Sequence, residues 1–288
     1  MNSYYPLLIV YWGSYLVFPF VGGLLYLWCK TSKKLSKRSY LVSKIFLLLI
    51  VVSGVFCWAR FIEPNMLVTH TTTIDAFYKI ALISDMHMVF NNERLMDRVV
   101  KKVNQSDIDA VFIAGDLTYE PHKKDFRLFA RVELKKPVFV VLNHDVERPP
   151  NIRKKLTDTL VSFGAQIIDN KIVMLETNQE EIILVLGSFL KESNVSLLEQ
   201  YKQSDNVVVL THNPDTTLLY TSPIADITLA HTHQIRIPWL YKYAIPTINF
   251  DRNLTQEPLT QLFVTALGTV WLPMRLFNPP VIDILTLK

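Results

Sequence analysis

Tyr78-Lys79-Ile80-Ala81-Leu82-Ile83-Ser84-Asp85-Met86-His87 is the stretch that decides how this chain folds. Its first seven residues form a short, β-rich apolar run of the kind that builds a buried strand, and the run stops on an acid and an imidazole. The same grammar returns downstream. Val111 to Gly115 is followed by Asp116, Val138 to Leu142 by Asn143-His144-Asp145, Val207 to Thr211 by His212, and Ile227 to Ala230 by His231-Thr232-His233. Five of the seven histidines fall in this series.

Working outward, strands are predicted over 78–84, 110–114, 138–142, 182–186, 207–210 and 227–230, with further ones over 262–266 and 281–287. Polar stretches of helical period lie between them at 92–104, 123–134, 152–163 and 195–203. That alternation predicts an α/β domain. The polar groups stand at the C-terminal ends of the apolar runs, where α/β sheets place their ligands. One histidine there is commonly a hydrogen-bonded structural residue, and one aspartate a helix cap. Five successive strand ends carrying imidazole, carboxylate or carboxamide would need five separate structural explanations, whereas a metal centre needs one.

Nitrogen and oxygen ligands without thiolate suit manganese, iron, zinc or nickel and not calcium or a structural zinc. An aspartate between two such ligand sets can bridge two cations about 3.5–4 Å apart, the arrangement that clamps both oxygens of an in-line phosphoryl displacement.

Residues 1–60 have a different character: they contain no Asp or Glu. Leu7 to Cys29 is an uncharged run of 23 residues, enough at about 1.5 Å per residue to cross a hydrocarbon core of roughly 30 Å. Pro19 is expected to kink it. Ile45 to Ile62 is a second, 18-residue run whose one charge, Arg60, lies near its end, where its long side chain is expected to snorkel toward headgroups. A cleaved signal peptide would need a basic start, and Met1 to Pro6 has none, so a two-helix transmembrane hairpin over 1–62 is the expectation.

The connector 30–44 carries Lys30, Lys33, Lys34, Lys37, Arg38 and Lys44 and no acid. By the positive-inside rule this loop is cytoplasmic in a bacterial inner membrane, which puts the catalytic domain on the extracytoplasmic side of a multi-pass anchor. Residues 63–77, with three consecutive threonines from Thr71, read as a linker into a domain over 78–288. From Phe61 onward 23 basic residues face 26 acidic ones, so the basic balance of the whole chain belongs to the anchor, and no nucleic-acid footprint is present. Both cysteines, Cys29 and Cys57, lie in the apolar runs, which leaves the domain without disulfide or thiolate ligand. Oligomeric state is not readable from these features.

In ordered motifs the chain resembles the calcineurin-like metallophosphoesterases. That family's pattern is D-x-H, G-D, G-N-H-D, an isolated H, and G-H-x-H. Here it reads Asp85-Met86-His87, Gly115-Asp116, Leu142-Asn143-His144-Asp145, His212 and Ala230-His231-Thr232-His233. The resemblance implies a four-layer αββα sandwich following the transmembrane hairpin, and two divalent transition metals, manganese foremost, with iron, zinc or nickel as alternatives. One metal would take Asp85, His87, Asp116 and His233; the other would take Asp116, Asn143, His212 and His231, with Asp116 bridging. His144 would donate a proton to the leaving oxygen with Asp145 orienting its ring, or would only support its neighbour Asn143. Arg236 is a candidate phosphate ligand, with a surface ion pair as the alternative.

The tail from Ala266-Leu267-Gly268 to Pro279-Pro280 resembles the membrane-associated bacterial branch, whose best-defined activity is pyrophosphate hydrolysis of UDP-2,3-diacylglucosamine in lipid A synthesis. The implied substrates are therefore a phospholipid or lipid-linked phosphate. That particular substrate faces the cytoplasm and the charge pattern points the other way, so an extracytoplasmic envelope or lipid phosphodiesterase stands beside it, as does an inactive metal-binding scaffold. The pattern's glycines are replaced by Leu142 and Ala230, and His233 runs directly into Gln234-Ile235-Arg236-Ile237-Pro238. The 238–250 stretch, rich in aromatics, reads as packed strand or as a lipid-touching lip.

Overall fold

The computed structural model describes residues 4–33, 36–73, 78–86, 93–117, 133–142, 149–176, 182–188, 207–214, 217, 227–231, 255–257, 260–265, 267 and 274–287. The predicted helices over 195–203 and, apart from its last two residues, 123–134 lie outside these residues, as does the 238–250 stretch.

Helix α1 (Tyr4–Gly13), a 3-10 turn (Ser14–Leu16) and α2 (Val17–Ser32) form the first apolar segment. The 3-10 turn lies just before Pro19, which has no amide to donate to the Tyr15 carbonyl four residues back. Helix α3 (Lys37–Cys57) is capped by Ser36, whose hydroxyl accepts the Ser39 amide at 3.1 Å, and it continues through a π-helical turn (Trp58–Ile62) and a 3-10 turn (Glu63–Asn65). Two segments, Ile9–Ser32 and Lys37–Asn65, are long and apolar enough to cross a bilayer, with mean hydropathy 1.4 and 2.4. Arg60 does not snorkel. It is 4% exposed, lies over the rings of Tyr11, Tyr15 and Phe61, and donates from Nε to Ser14 Oγ at 3.0 Å, so the ring faces and the hydroxyl hold the guanidinium between the two helical segments.

The remaining described elements are β1 (Val68–Thr73), β2 (Tyr78–Ile83), α4 (Glu93–Gln105), β3 (Ala110–Ile113), β4 (Val138–Val140), α5 (Pro150–Ser162), β5 (Ala165–Ile167), β6 (Ile172–Glu176), β7 (Ile182–Ser188), β8 (Val207–Thr211), β9 (Ile227–His231), β10 (Thr255–Glu257), β11 (Thr260–Thr265) and β12 (Val281–Leu287). They form two six-stranded sheets, ordered β1-β12-β2-β3-β4-β5 and β10-β11-β9-β8-β7-β6. The stretch 63–77 is therefore not a plain linker. Its threonines form β1, an edge strand parallel to β12, where β-branched side chains suit a half-exposed pleat.

Period-two alternation divides β2 and β3 between two cores. Ala81, Ile83, Val111 and Ile113 face α4 and α5, joining Leu95, Met96, Val99 and Val103 of α4 and Ile152, Leu156 and Leu160 of α5. Their spacing of three to four along each helix makes one apolar stripe, and full burial of each such side chain contributes about 1.5–3 kcal/mol. Tyr78, Ile80, Leu82, Ala110 and Phe112 point the other way and meet Val208, Leu210, Ile227 and Leu229 of the second sheet. The far face of that sheet, Val207, Val209, Thr228 and Ala230, is buried as well. Helices, sheet and sheet thus stack in the layered order expected of the sandwich, behind two apolar N-terminal helices.

Candidate metal centre

β2, β3 and β4 are adjacent and parallel, with Ile83 beside Ile113 and Ile113 beside Val140, so their C-terminal ends form one edge. Just past that edge the backbone leaves the extended region: Asp85 has φ 57°, Gly115 83° and Asp116 53°. Left-handed backbone is uncommon for residues other than glycine, with aspartate among the more tolerant. The Asp85 amide donates to Gly115 O at 3.2 Å, tying the two turns together. Asp85 is 2% and Asp116 4% exposed. Buried carboxylates of this kind are retained where a cation or hydrogen-bond donors meet them.

The second sheet supplies the imidazole. His212, one residue beyond β8 and 4% exposed, donates from Nδ1 to Ala114 O of the first sheet at 3.1 Å. Since a carbonyl only accepts, this bond fixes the tautomer and turns Nε2 toward Asp116 Oδ1, 3.8 Å away. That distance is too long for a hydrogen bond and lies within twice a metal–ligand length of about 2.1 Å. A backbone-anchored Nδ1 with the second nitrogen beside a carboxylate is how histidines are held for metal ligation. The residues fit a divalent cation at this point.

Gly115 makes the approach feasible. A Cβ built there would sit 2.8 Å from His212 Nδ1 and 3.1 Å from Val141 O. Ser84 Oγ, next to Asp85, donates to Thr265 O at 3.1 Å, and Thr265 pairs with His231 at the end of β9. The β8–β9 register, continued from Leu210 beside Leu229, carries His212 abreast of His231. The two sheets therefore meet at the edge where Asp85, Asp116, His212 and the His231 backbone lie.

His87, Asn143, His144, Asp145, His233 and Arg236 fall outside the described residues, as does the His231 side chain. Among the described residues no group of three His, Cys, Asp or Glu side chains converges tightly enough to hold a metal alone.

The replaced glycines are accommodated. Leu142 packs into the helix-side core, and Ala230 is fully buried in β9. The Leu142 amide donates to Asp169 Oδ1 at 2.8 Å, which fixes the backbone immediately before Asn143. Burial pushes the Asp169 carboxyl above the ordinary carboxylate range, opposed by that amide and by the charges of Arg153 and Lys171. A cavity of about 720 Å³ opens here beside Leu142, Arg153, Ile167 and Lys171. Asp169 and Ser84 escaped the sequence reading. Asp169 had the same signal as the others, an apolar run, Ile167-Ile168, ending on an acid.

Residues 78–235, more than half of the chain, match the family model for calcineurin-like phosphoesterases. An uncharacterized metallophosphoesterase of Campylobacter jejuni is 25% identical over 223 residues, covering 73% of this chain and 59% of that protein. Among solved structures, phosphopantetheinyl hydrolase from Mycobacterium tuberculosis aligns over 72% of this chain and 98% of its own, with 11% identity and a TM-score of 0.46. With buried acids and an anchored imidazole meeting at the edge where two sheets join, and a family match across those strands, this chain belongs to the calcineurin-like phosphoesterases.

Proposed function

We propose that the chain is a membrane-anchored, dinuclear-metal phosphohydrolase that cleaves a phosphodiester or pyrophosphate bond of a lipid or lipid-linked substrate. The observation that carries it is His212, anchored on the Ala114 carbonyl and facing Asp116 across the seam between the sheets. Membership of a phosphoesterase family supports the reaction class, and the two apolar N-terminal helices support the anchor.

Asp85, His87, Asp116 and His233 would hold one ion, and Asp116, Asn143, His212 and His231 the other. Two divalent ions held there would activate water as a nucleophile and neutralise phosphate oxygens. The chain's own residues do the rest. Ala114 O holds the ring of His212 and Asp169 holds the backbone entering Asn143; His144, with Asp145 to orient its ring, would pass a proton to the leaving oxygen, and Arg236 would pair with a substrate phosphate.

Turnover of an aryl phosphodiester by the full chain with Mn²⁺, abolished in Asn143→Ala, is expected. Less than one transition metal per chain by elemental analysis would sink the proposal, and bound metal without turnover would leave the inactive metal-binding scaffold. UDP-2,3-diacylglucosamine is the most specific substrate to assay. The basic loop 30–44 favours instead an extracytoplasmic phosphodiester, and a reporter fused after Lys288 decides which face carries the domain.

A further inference from the structure

The strand registers tie the candidate centre to the end of the second apolar helix. Val68, the first residue of β1, pairs with Val281, the first of β12. β12 runs antiparallel to β2, with Asp283 beside Leu82, so the register continued to the strand end sets Ser84 abreast of Val281. Val68, Val281 and Ser84 thus form one row across three strands. Asp85 is the next residue after that row, and Asn65, where the apolar helical segment ends, lies three residues before it. With strands ~4.8 Å apart, the acid edge stands within ~10 Å, laterally, of the point where the chain leaves the helix.

The joint is built, not loose. The Arg275 amide donates to Ala59 O at 2.7 Å, and the Arg275 guanidinium donates to Asn278 O at 2.8 Å. Buried Glu63 accepts from Trp58 Nε1 at 2.8 Å and from the Asn278 amide. At the tip of this turn Phe277 is 77% exposed and has φ 59°, a conformation that a bulky side chain rarely adopts. On the helix end that Glu63 ties to this turn, Trp58, Ile62 and Met66 are also exposed. Alongside, Arg98 donates to Asn65 O at 2.5 Å, and Arg98, Lys101 and Lys102 line a groove of about 460 Å³ with Leu67 and Thr69.

An exposed aromatic on a turn bonded to the end of a membrane-length helix, with exposed apolar residues on that helix end and a cluster of cations alongside, matches the layered chemistry of a bilayer interface. Resting on the anchor reading above, we infer that the turn Arg275–Asn278 inserts Phe277 into the bilayer interface while Arg98, Lys101 and Lys102 meet anionic headgroups, so that the Asp85–Asp116 edge faces the membrane it draws substrate from.

The test uses the full chain with Cys29→Ser and Cys57→Ser, in phosphatidylcholine vesicles containing phosphatidylglycerol. A bimane label is placed at Phe277→Cys or, as control on the opposite edge ahead of β3, at Asp107→Cys, and quenched by a lipid-borne nitroxide. Quenching and a blue shift at 277 but not at 107 are expected. Equal accessibility of both labels to an aqueous quencher, in protein that floats with vesicles, would overturn the inference. So would a 277 label shielded from lipid and water alike, which would indicate a protein partner. Failure to float would overturn the anchor reading itself. Independently, Phe277→Gly, which relieves the positive φ, should lower turnover of a vesicle-embedded phosphodiester by about tenfold and leave a soluble aryl phosphodiester unchanged. An equal loss on both substrates would also overturn the inference.

Discussion

Replacing Gly115 with alanine should loosen His212 from its seat. Alanine at φ +83° costs about 1–2 kcal/mol of backbone strain. Its methyl would stand 2.8 Å from His212 Nδ1 and 3.1 Å from Val141 O, so the ring or the end of β3 must move by several tenths of an ångström, at about 1–3 kcal/mol. A displaced ring gives up its bond to Ala114 O, worth about 1 kcal/mol. The combined loss is about 3–6 kcal/mol, a large part of the roughly 5–15 kcal/mol that holds a typical domain folded. Urea unfolding of the full chain in detergent, with and without Mn²⁺, measures it, and calorimetric titration of Mn²⁺ should show affinity lower by about 10–100-fold. Gly115→Ala with stability and Mn²⁺ affinity both unchanged would refute the claim that His212 is held for metal ligation by this contact.

Asp169→Ala leaves the buried Leu142 amide without its acceptor and should cost about 1–3 kcal/mol, whereas Asp169→Asn keeps an acceptor. Because burial raises the Asp169 pKa, its stabilising contribution belongs to acid pH and is lost as pH rises through that raised value, so the asparagine variant should match or exceed the parent in neutral-pH melts. Tyr78, pushed up to about 12 by burial and by the charge of Asp109, stays neutral in the folded chain after its unfolded form ionises near 10. Stability should therefore fall as pH rises from 10 to 12, a decline that alkaline melts should find flattened in Tyr78→Phe. Glu63→Ala removes the acceptor shared by Trp58 Nε1 and the Asn278 amide and should lower the melting free energy in micelles by about 2–4 kcal/mol.

Strand ends were legible in the sequence because chemistry interrupts periodicity there. Short β-branched apolar runs such as Ile80–Ile83 or Val207–Leu210 suit a buried strand, and Asp85 and His212 follow just beyond them. β1 was hidden because an edge strand buries half of one face, so Val68–Thr73 has the composition of a linker. β5 and β6 were hidden by brevity and by the turn at Asn170, which has φ 54°. The fate of Arg60 could not be read locally, since the hydroxyl and rings that satisfy it lie 46 residues away at Ser14 and its neighbours. The contact between Gly115 and His212 joins residues in different sheets, and the motif Gly-Asp gives no hint of which side chain occupies the space a Cβ would take.

The position of β12 also sets the order in which this protein can be made. It lies between β1 and β2, yet it is synthesised about 200 residues after them, a delay on the order of 10 s or more at translation rates of roughly 5–20 residues per second. Until it emerges, β1 and β2 have no strand to join them and each presents an open edge. If the apolar helices anchor the chain as proposed, they can enter a bilayer during that interval, and insertion would then precede closure of the domain. A ribosome stalled before Val281 would leave an open-edged sheet, and surveillance by chaperones and proteases is needed most at that stage.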